Sequence, residues 1–420
     1  MLFVSVERTE STGQLSNGQS PLDNSVKRER QMEELLALAR YTQRSTRDKV
    51  IKVILSVKVL MGSLGEQGSA NAISSPTGSY RLICTLLNIV LTYSRISMRG
   101  AIVQQFGGPE TIKIVSDLPK PVIKTEKQVL VRVAASGVNP VDTYIREGHY
   151  AALPTLPYTP GRDGAGIVEQ VGEDVSHVKV GDRVYFLANH TGSAAEYCLT
   201  DKVFPLPFDV TFQEGACLGI PYMTAHRALF LLGHLKKGQR VLVHGASGGV
   251  GLAAVQMAAN FGAVVVGTAG TEEGIELVKK NGAGDVFNHR VHRYSSKMKK
   301  SYPDGFDLIL EMAAHLNLAI DLDLLARNGK VAVIGSRGEV TVNPRALMTK
   351  ETSAYGVTLA NSTEEDFAAA LSFIWNFLRS SHFRPAVHRL YPLNEIAAAH
   401  SDVMAGSGTK GKLIVCIADL

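Results

Sequence analysis

Cysteine is sparse: Cys84, Cys198, Cys217 and Cys416 are scattered singly through 420 residues, with no CxxC pair. That argues against a disulfide framework and against a cysteine-held zinc, and it suits a reducing, cytoplasmic setting. The twelve histidines show no HxxxH or HExxH spacing, so no metal motif is expected from them either. Excess charge is nearly absent from most of the chain. The formal net is +5, but residues 1–97 hold 12 Lys/Arg against 8 Asp/Glu, a net of +4, which leaves +1 for residues 98–420. So neutral a body lacks the basic footprint of a nucleic-acid binder. Long apolar runs are missing too. Leu82–Leu91, broken by Thr85 and Asn88, is too short to span a bilayer, so no stable membrane insertion is expected.

Residues 1–97 differ from the rest of the chain. The first 25 or so are rich in Ser, Gly, Asn and Gln, the composition of a disordered lead. Gln31 to Met61 carries Met32, Leu35, Leu36 and Ala39 at helical spacing. This segment reads as a poorly ordered extension unrelated to the chemistry, and Met98 as the point where ordered patterning begins.

The stretch that organises the rest is Val241-Leu242-Val243-His244-Gly245-Ala246-Ser247-Gly248-Gly249-Val250-Gly251. Three apolar residues predict a buried strand, then a glycine turn, then a helix with no charge in its first two turns. Such a turn lets backbone approach a ligand and aims free helix N–H groups at it, which suits a pyrophosphate. Ala263–Thr268 supplies the second strand of a βαβ unit. Sites that favour NADH place a carboxylate about 20 residues beyond the glycines. Here Gly267-Thr268-Ala269-Gly270-Thr271 intervenes before Glu272, leaving room for a ribose phosphate and favouring NADPH. Gly270 and Thr271 also suit the cap of a helix starting near Glu272.

Before this unit, Arg99–Gln104, Val129–Ala134, Gly166–Val171 and Arg183–Phe186 read as short strands, and Tyr222–Gly233 as a helix. After it, strand signals at Asp285–Asn288, Phe306–Met312, Lys330–Gly335 and Ala354–Leu359 alternate with helices. Six such strands predict an α/β doubly wound parallel sheet. Ser362–Arg379 reads as a long helix, and Ala386–Tyr391 and Leu413–Ile417 as strands returning to the first domain. A ligand is expected in the cleft between the two parts.

Several stretches together resemble the zeta-crystallin type of quinone oxidoreductase, among the zinc-independent medium-chain reductases. They are Gly137-Val138-Asn139-Pro140-Val141-Asp142-Thr143-Tyr144-Ile145-Arg146, Pro157-Tyr158-Thr159-Pro160-Gly161, Gly219-Ile220-Pro221-Tyr222, the glycine turn, Gly267 to Gly274, Phe287-Asn288-His289-Arg290 and Gly335-Ser336-Arg337-Gly338. The likeness runs from about Met98 to Leu420. It implies a GroES-like β-rich catalytic domain over 98–220 and 365–420, and a Rossmann NADPH-binding domain over 221–364. It implies cofactor contacts from Tyr144, from Ser247, Gly248, Gly249 and Val250, and from Gly270, His289 and Asn317. It extends them to Ile334, Gly335, Ser336, Arg337, Val357, Thr358 and Leu359. His289 and Arg290 would face the adenosine phosphate.

The matching stretches that hold zinc in metal-dependent relatives contain no Cys or His here, and alcohol chemistry needs an acid to polarise the carbonyl. A conjugated quinone accepts hydride or electrons without one. Tyr144 and Asn139 are the candidates to donate hydrogen bonds to the quinone oxygen, or to hold the nicotinamide. The resemblance therefore implies NADPH-dependent quinone reduction, with electrons passing singly or as hydride, in a homotetramer. Alternatives are reduction of an enoyl thioester or alkenal, and NADPH binding without turnover in a crystallin or AU-rich-RNA-binding role. The chain departs from the family pattern at Arg162 and in Leu187–Ser193, both near the expected substrate side.

Overall fold

The computed structural model describes residues 97–380, 382–405 and 410–420. The extension at residues 1–96, with its expected helix and short apolar run, lies outside the described residues.

The chain opens with seven strands: β1 (Ser97–Val103), β2 (Ile112–Pro119), β3 (Val129–Val138), β4 (Asp163–Val171), β5 (Arg183–Leu187), β6 (Tyr197–Thr200) and β7 (Lys202–Pro205). β1 and β2 form an antiparallel pair; β3, β4, β5 and β7 are neighbours in a larger sheet, with β6 against β3. Alternate residues of β3 (Val129, Val131, Val133) pack on Val168, Val184 and Phe186. β2, β6 and β7 went unanticipated because they are short or carry polar residues at most exposed positions.

Six strands follow: β8 (Arg240–Val243), β9 (Val264–Ala269), β10 (Asp285–Asn288), β11 (Phe306–Glu311), β12 (Leu325–Val333) and β13 (Ser353–Gly356). Their spatial order is β10-β9-β8-β11-β12-β13 and every pairing is parallel. This is the doubly wound order expected of a dinucleotide-binding sheet. Its apolar runs have a simple cause. Val241, Val243, Leu308, Leu310 and Ala332 enter the core on one face, while Leu242, Ile309 and Val331 enter a separate core on the other. Both faces are covered, so the strands are continuously hydrophobic rather than alternating.

Two last strands, β14 (Val387–Pro392) and β15 (Lys412–Cys416), rejoin the first sheet, β15 pairing antiparallel with β3. Between the two parts runs a helical segment from Leu218 to Leu232, longer than expected and wound loosely, with five-residue turns at Leu218–Tyr222 and Arg227–Leu232. Pro221 lies inside it and cannot donate to a regular helical ladder. Cys198, Cys217 and Cys416 are unpaired. Among the described residues no helix is long and apolar enough to cross a membrane.

Candidate active site

Helix α1 (Pro140–Glu147) follows β3 directly, and helix α2 (Gly249–Phe261) follows β8 after the glycine turn. Gly245 has φ +55°, a conformation that L side chains rarely adopt. At Gly251 a Cβ would lie 2.3 Å from the Gly245 carbonyl oxygen, so only glycine lets the turn close on the helix. The first-turn N–H groups of α2 lack partners within the helix and point out of this turn. Gly411 donates its N–H to the Ser247 carbonyl at 2.8 Å, tying the turn to the terminal strand.

Beneath the turn lies a buried polar chain. Gly245 donates its N–H to Thr268 Oγ1 (3.2 Å), and Thr268 Oγ1 is 3.3 Å from His244 Nδ1. His244 Nε2 is 2.9 Å from Asp321 Oδ1 and 3.7 Å from Glu311 Oε2. With Thr268 donating to Nδ1, the network assigns the imidazole proton to Nε2. Burial lowers the His244 pKa and raises Glu311 and Asp321 to about 7. Both acids therefore take up a proton more readily than a free carboxylate, which eases the cost of burying them beneath the turn.

The residues expected to meet cofactor fall at the carboxyl ends of the parallel strands. Gly270 immediately follows β9, His289 follows β10, Ile334 follows β12 and Val357 follows β13. A Cβ on Gly270 would lie 2.8 Å from His289 Nε2 and 2.9 Å from Arg290 Nε, so the bare glycine allows both side chains to close over it. Burial lowers the His289 pKa, and His244 and Arg290 add to that. Thr271 accepts from the Gly274 N–H at 3.1 Å, so the same segment also caps the next helix. Asn317 donates to Glu311 Oε1 (3.2 Å), whose backbone carbonyl accepts from Ile334 and Gly335. Ser336 and Arg337 are exposed; Ser336 donates to the Gly338 carbonyl (3.0 Å) and the Arg337 N–H to His315 Nδ1 (3.2 Å). Val357 donates to the Val333 carbonyl, and Thr358 Oγ1 accepts from the Ala360 N–H. Gly248 and Gly249 add no side chain in front of the helix end. The edge fits a nicotinamide dinucleotide.

Across from this edge, Tyr144 on α1 accepts a hydrogen bond from Arg337 Nε at 3.1 Å. Asn139 behaves differently from expectation. It is buried, and its Nδ2 donates to Asp163 Oδ1 (3.0 Å) and Asp142 Oδ2 (3.4 Å), while Lys412 Nζ donates to its Oδ1. Both amide protons and the carbonyl are therefore used inside the protein, and Asn139 does not present a donor to a quinone. It positions its neighbours instead.

Lys412 is the centre of that network and was not anticipated. Its buried ammonium also lies 3.4 Å from Asp163 Oδ2, which accepts the Ile220 N–H at 3.1 Å. Burial raises the Asp163 pKa against the opposing pull of Lys412. Asp142 accepts the Asn139 N–H at 2.8 Å and is pushed up to about 7 by burial and then by the Asp163 charge. The only local signal was Lys412 itself, a lone charge opening the apolar run Leu413-Ile414-Val415.

A β-rich part joined to a parallel dinucleotide-type sheet, with a cleft floored by the sheet's carboxyl edge, defines a medium-chain dehydrogenase/reductase. Family models agree: residues 125–208 match an alcohol dehydrogenase GroES-like domain, and residues 249–376 match the domain described as zinc-binding dehydrogenase. Human quinone oxidoreductase is 48% identical over 323 residues, spanning 76% of this chain and 98% of that protein. The mouse quinone oxidoreductase is 49% identical over 325 residues with the same coverage. A mycobacterial protein solved with NADPH superposes with a TM-score of 0.70 at 30% identity, covering 76% of this chain and all (100%) of that one. A quinone oxidoreductase from Pseudomonas syringae gives 0.69 at 27% identity, with 76% and 99% covered. The chain belongs to the zeta-crystallin family of quinone oxidoreductases.

Proposed function

We propose that this protein reduces quinones with NADPH in the cleft between the sheet edge and α1, without a metal ion. The observation that carries the reading is the Arg337–Tyr144 hydrogen bond, which joins the nucleotide-binding edge to the opposite wall where a nicotinamide would lie. Ser247 to Val250 would hold the pyrophosphate through backbone N–H groups. Gly270, with His289 and Arg290 over it and no carboxylate before Glu272, supports a ribose phosphate and hence NADPH over NADH. Asn317, Ile334 to Arg337 and Val357 to Leu359 would line the nicotinamide side. When bound, the cofactor supplies the reducing equivalents.

The chain's own residues supply orientation. Arg337 fixes the Tyr144 hydroxyl, leaving its proton free to be donated to a substrate oxygen. Asn139, Asp163 and Lys412 hold α1 and the start of β4 in register from beneath. The donor set supports the metal-free reading: it offers an amide, two carboxylates and a buried ammonium, and a dication beside Lys412 would be repelled. A quinone accepts reduction without a Lewis acid, so none is needed. Family likeness favours electrons leaving singly, which superoxide-dependent cytochrome c reduction would register.

The test is Tyr144→Phe assayed with NADPH against phenanthrenequinone and an enoyl thioester. Quinone turnover should fall only a few-fold, about 1 kcal/mol for one hydrogen bond. A loss of more than about a hundredfold with the enoyl thioester, the range of general acid catalysis, is what the enoyl reductase reading predicts, and an equal loss with the quinone would contradict the quinone-reductase reading.

A further inference from the structure

We propose that a cavity beside the start of β4 binds the acidic head of an apolar substrate on Arg162, so that anionic quinones are favoured over neutral ones. This rests on the quinone-reductase reading and names a substrate class within it.

The cavity has a volume of about 710 Å³ and a largely apolar wall that includes Ile102, Leu118, Ile145, Leu153 and Pro157. Its polar lining comes from Arg162, Asp142 and Tyr158, with Asn189, His190 and Thr191 along one side. Most of these polar groups are already used. His190 Nε2 lies 3.3 Å from Asp201, and Asn189 pairs with Asp201 and Thr200. Asp142 Oδ2 takes the Asn139 N–H. Arg162 is different: its side chain is exposed, its charge acts on Asp142, and among the described residues its guanidinium has no hydrogen-bond or ion-pair partner.

Two further groups on the same wall are incomplete, and the Tyr158 hydroxyl, buried without a partner, is a donor. Asp142 is 2% exposed and leaves its Oδ1 unpaired, so it can meet an acidic head only while it carries its own proton. Buried polar atoms left unpaired are rare in folded proteins and mark places where a ligand or water completes the bonding. An arginine fork among apolar side chains matches a carboxylate or sulfonate, which accepts two parallel N–H bonds. Tyr158 adds an O–H donor beside it.

Hydrogen bonds fix the backbone at this arginine. Ala188 donates to the Arg162 carbonyl (2.8 Å), Ser193 to Gly161 (3.1 Å) and Ala194 to Pro160 (3.0 Å). Gly161 has φ +95°, and a Cβ there would meet Ser193 Oγ at 2.4 Å. These ties fix the point from which the Arg162 side chain reaches the cavity wall.

The test compares ortho-naphthoquinone with its sulfonate on the full chain and on Arg162→Ser and Arg162→Lys. In the unaltered protein the sulfonate should have the higher kcat/KM, and Arg162→Ser should lower the sulfonate-to-neutral ratio about tenfold, with Arg162→Lys between. An unchanged ratio, including one in which both substrates slow alike, would overturn the assignment. Equilibrium binding of naphthalenesulfonate, which needs no turnover, reads the site separately. Binding weakened in Arg162→Ser supports it even if no quinone is reduced, and equal binding to both chains refutes it.

Discussion

Asp142 shows how a single residue couples burial to pH. Its folded pKa of about 7 lies above the ordinary value of 3.8, because burial and the Asp163 charge outweigh the Asn139 N–H, Lys412 and Arg162. The folded state then binds the proton more tightly than the unfolded state does. That contribution to stability is complete below about pH 4 and is lost as the pH rises to about 7. Asp142→Asn keeps an acceptor for the Asn139 N–H and removes the titration. Its Tm relative to the unaltered protein should therefore rise between those limits in differential scanning fluorimetry; parallel Tm curves would contradict the assignment. Residues of this network also mark the limit of sequence reading. Asn139 was legible as part of a functional stretch, but its spacing does not say which way the amide points. Lys412 bonds to it across 273 positions, and no local pattern reports a pairing so distant.

At the scale of elements, the glycine turn and the six strand ends were legible because their causes are local. A buried parallel strand is apolar at successive residues, and a turn that closes on a helix excludes Cβ atoms. The loosely wound segment at Leu218–Leu232 was legible only as a helix, since its winding depends on Pro221 and on the Asp163 carboxylate meeting the Ile220 N–H. The strand end after β9 makes the sharper prediction. In Gly270→Ala the new methyl must displace His289 and Arg290, two side-chain termini that can move without disturbing the backbone. The variant should keep its Tm to within a few degrees and raise the KM for NADPH about tenfold, with little change for NADH. Equal weakening of both cofactors would show that this glycine does not face the ribose phosphate.

For the whole molecule, the parallel sheet ends at β13, whose outer edge pairs with no other strand among the described residues. The Val357 N–H points inward to Val333, so by alternation the Ala354 N–H points out. An unpaired edge of this kind is a template for a second copy, and pairing there would support the expected homotetramer. Ala354→Pro removes one outward donor and should lower the mass measured by multi-angle light scattering; an unchanged mass would move the interface elsewhere. Residues 98–420 carry every element of the proposed site, and the resemblance that spans them made fold and cofactor class legible before any coordinates. The substrate side was less so, because Arg162 and its cavity depend on how distant loops pack. The central claim is tested most directly by steady-state oxidation of NADPH by the full chain with phenanthrenequinone, beside NADH and an enoyl thioester. The account predicts rapid turnover with NADPH and the quinone, and a kcat/KM for NADH lower by about tenfold or more. Turnover of the thioester alone, or preference for NADH, would contradict it.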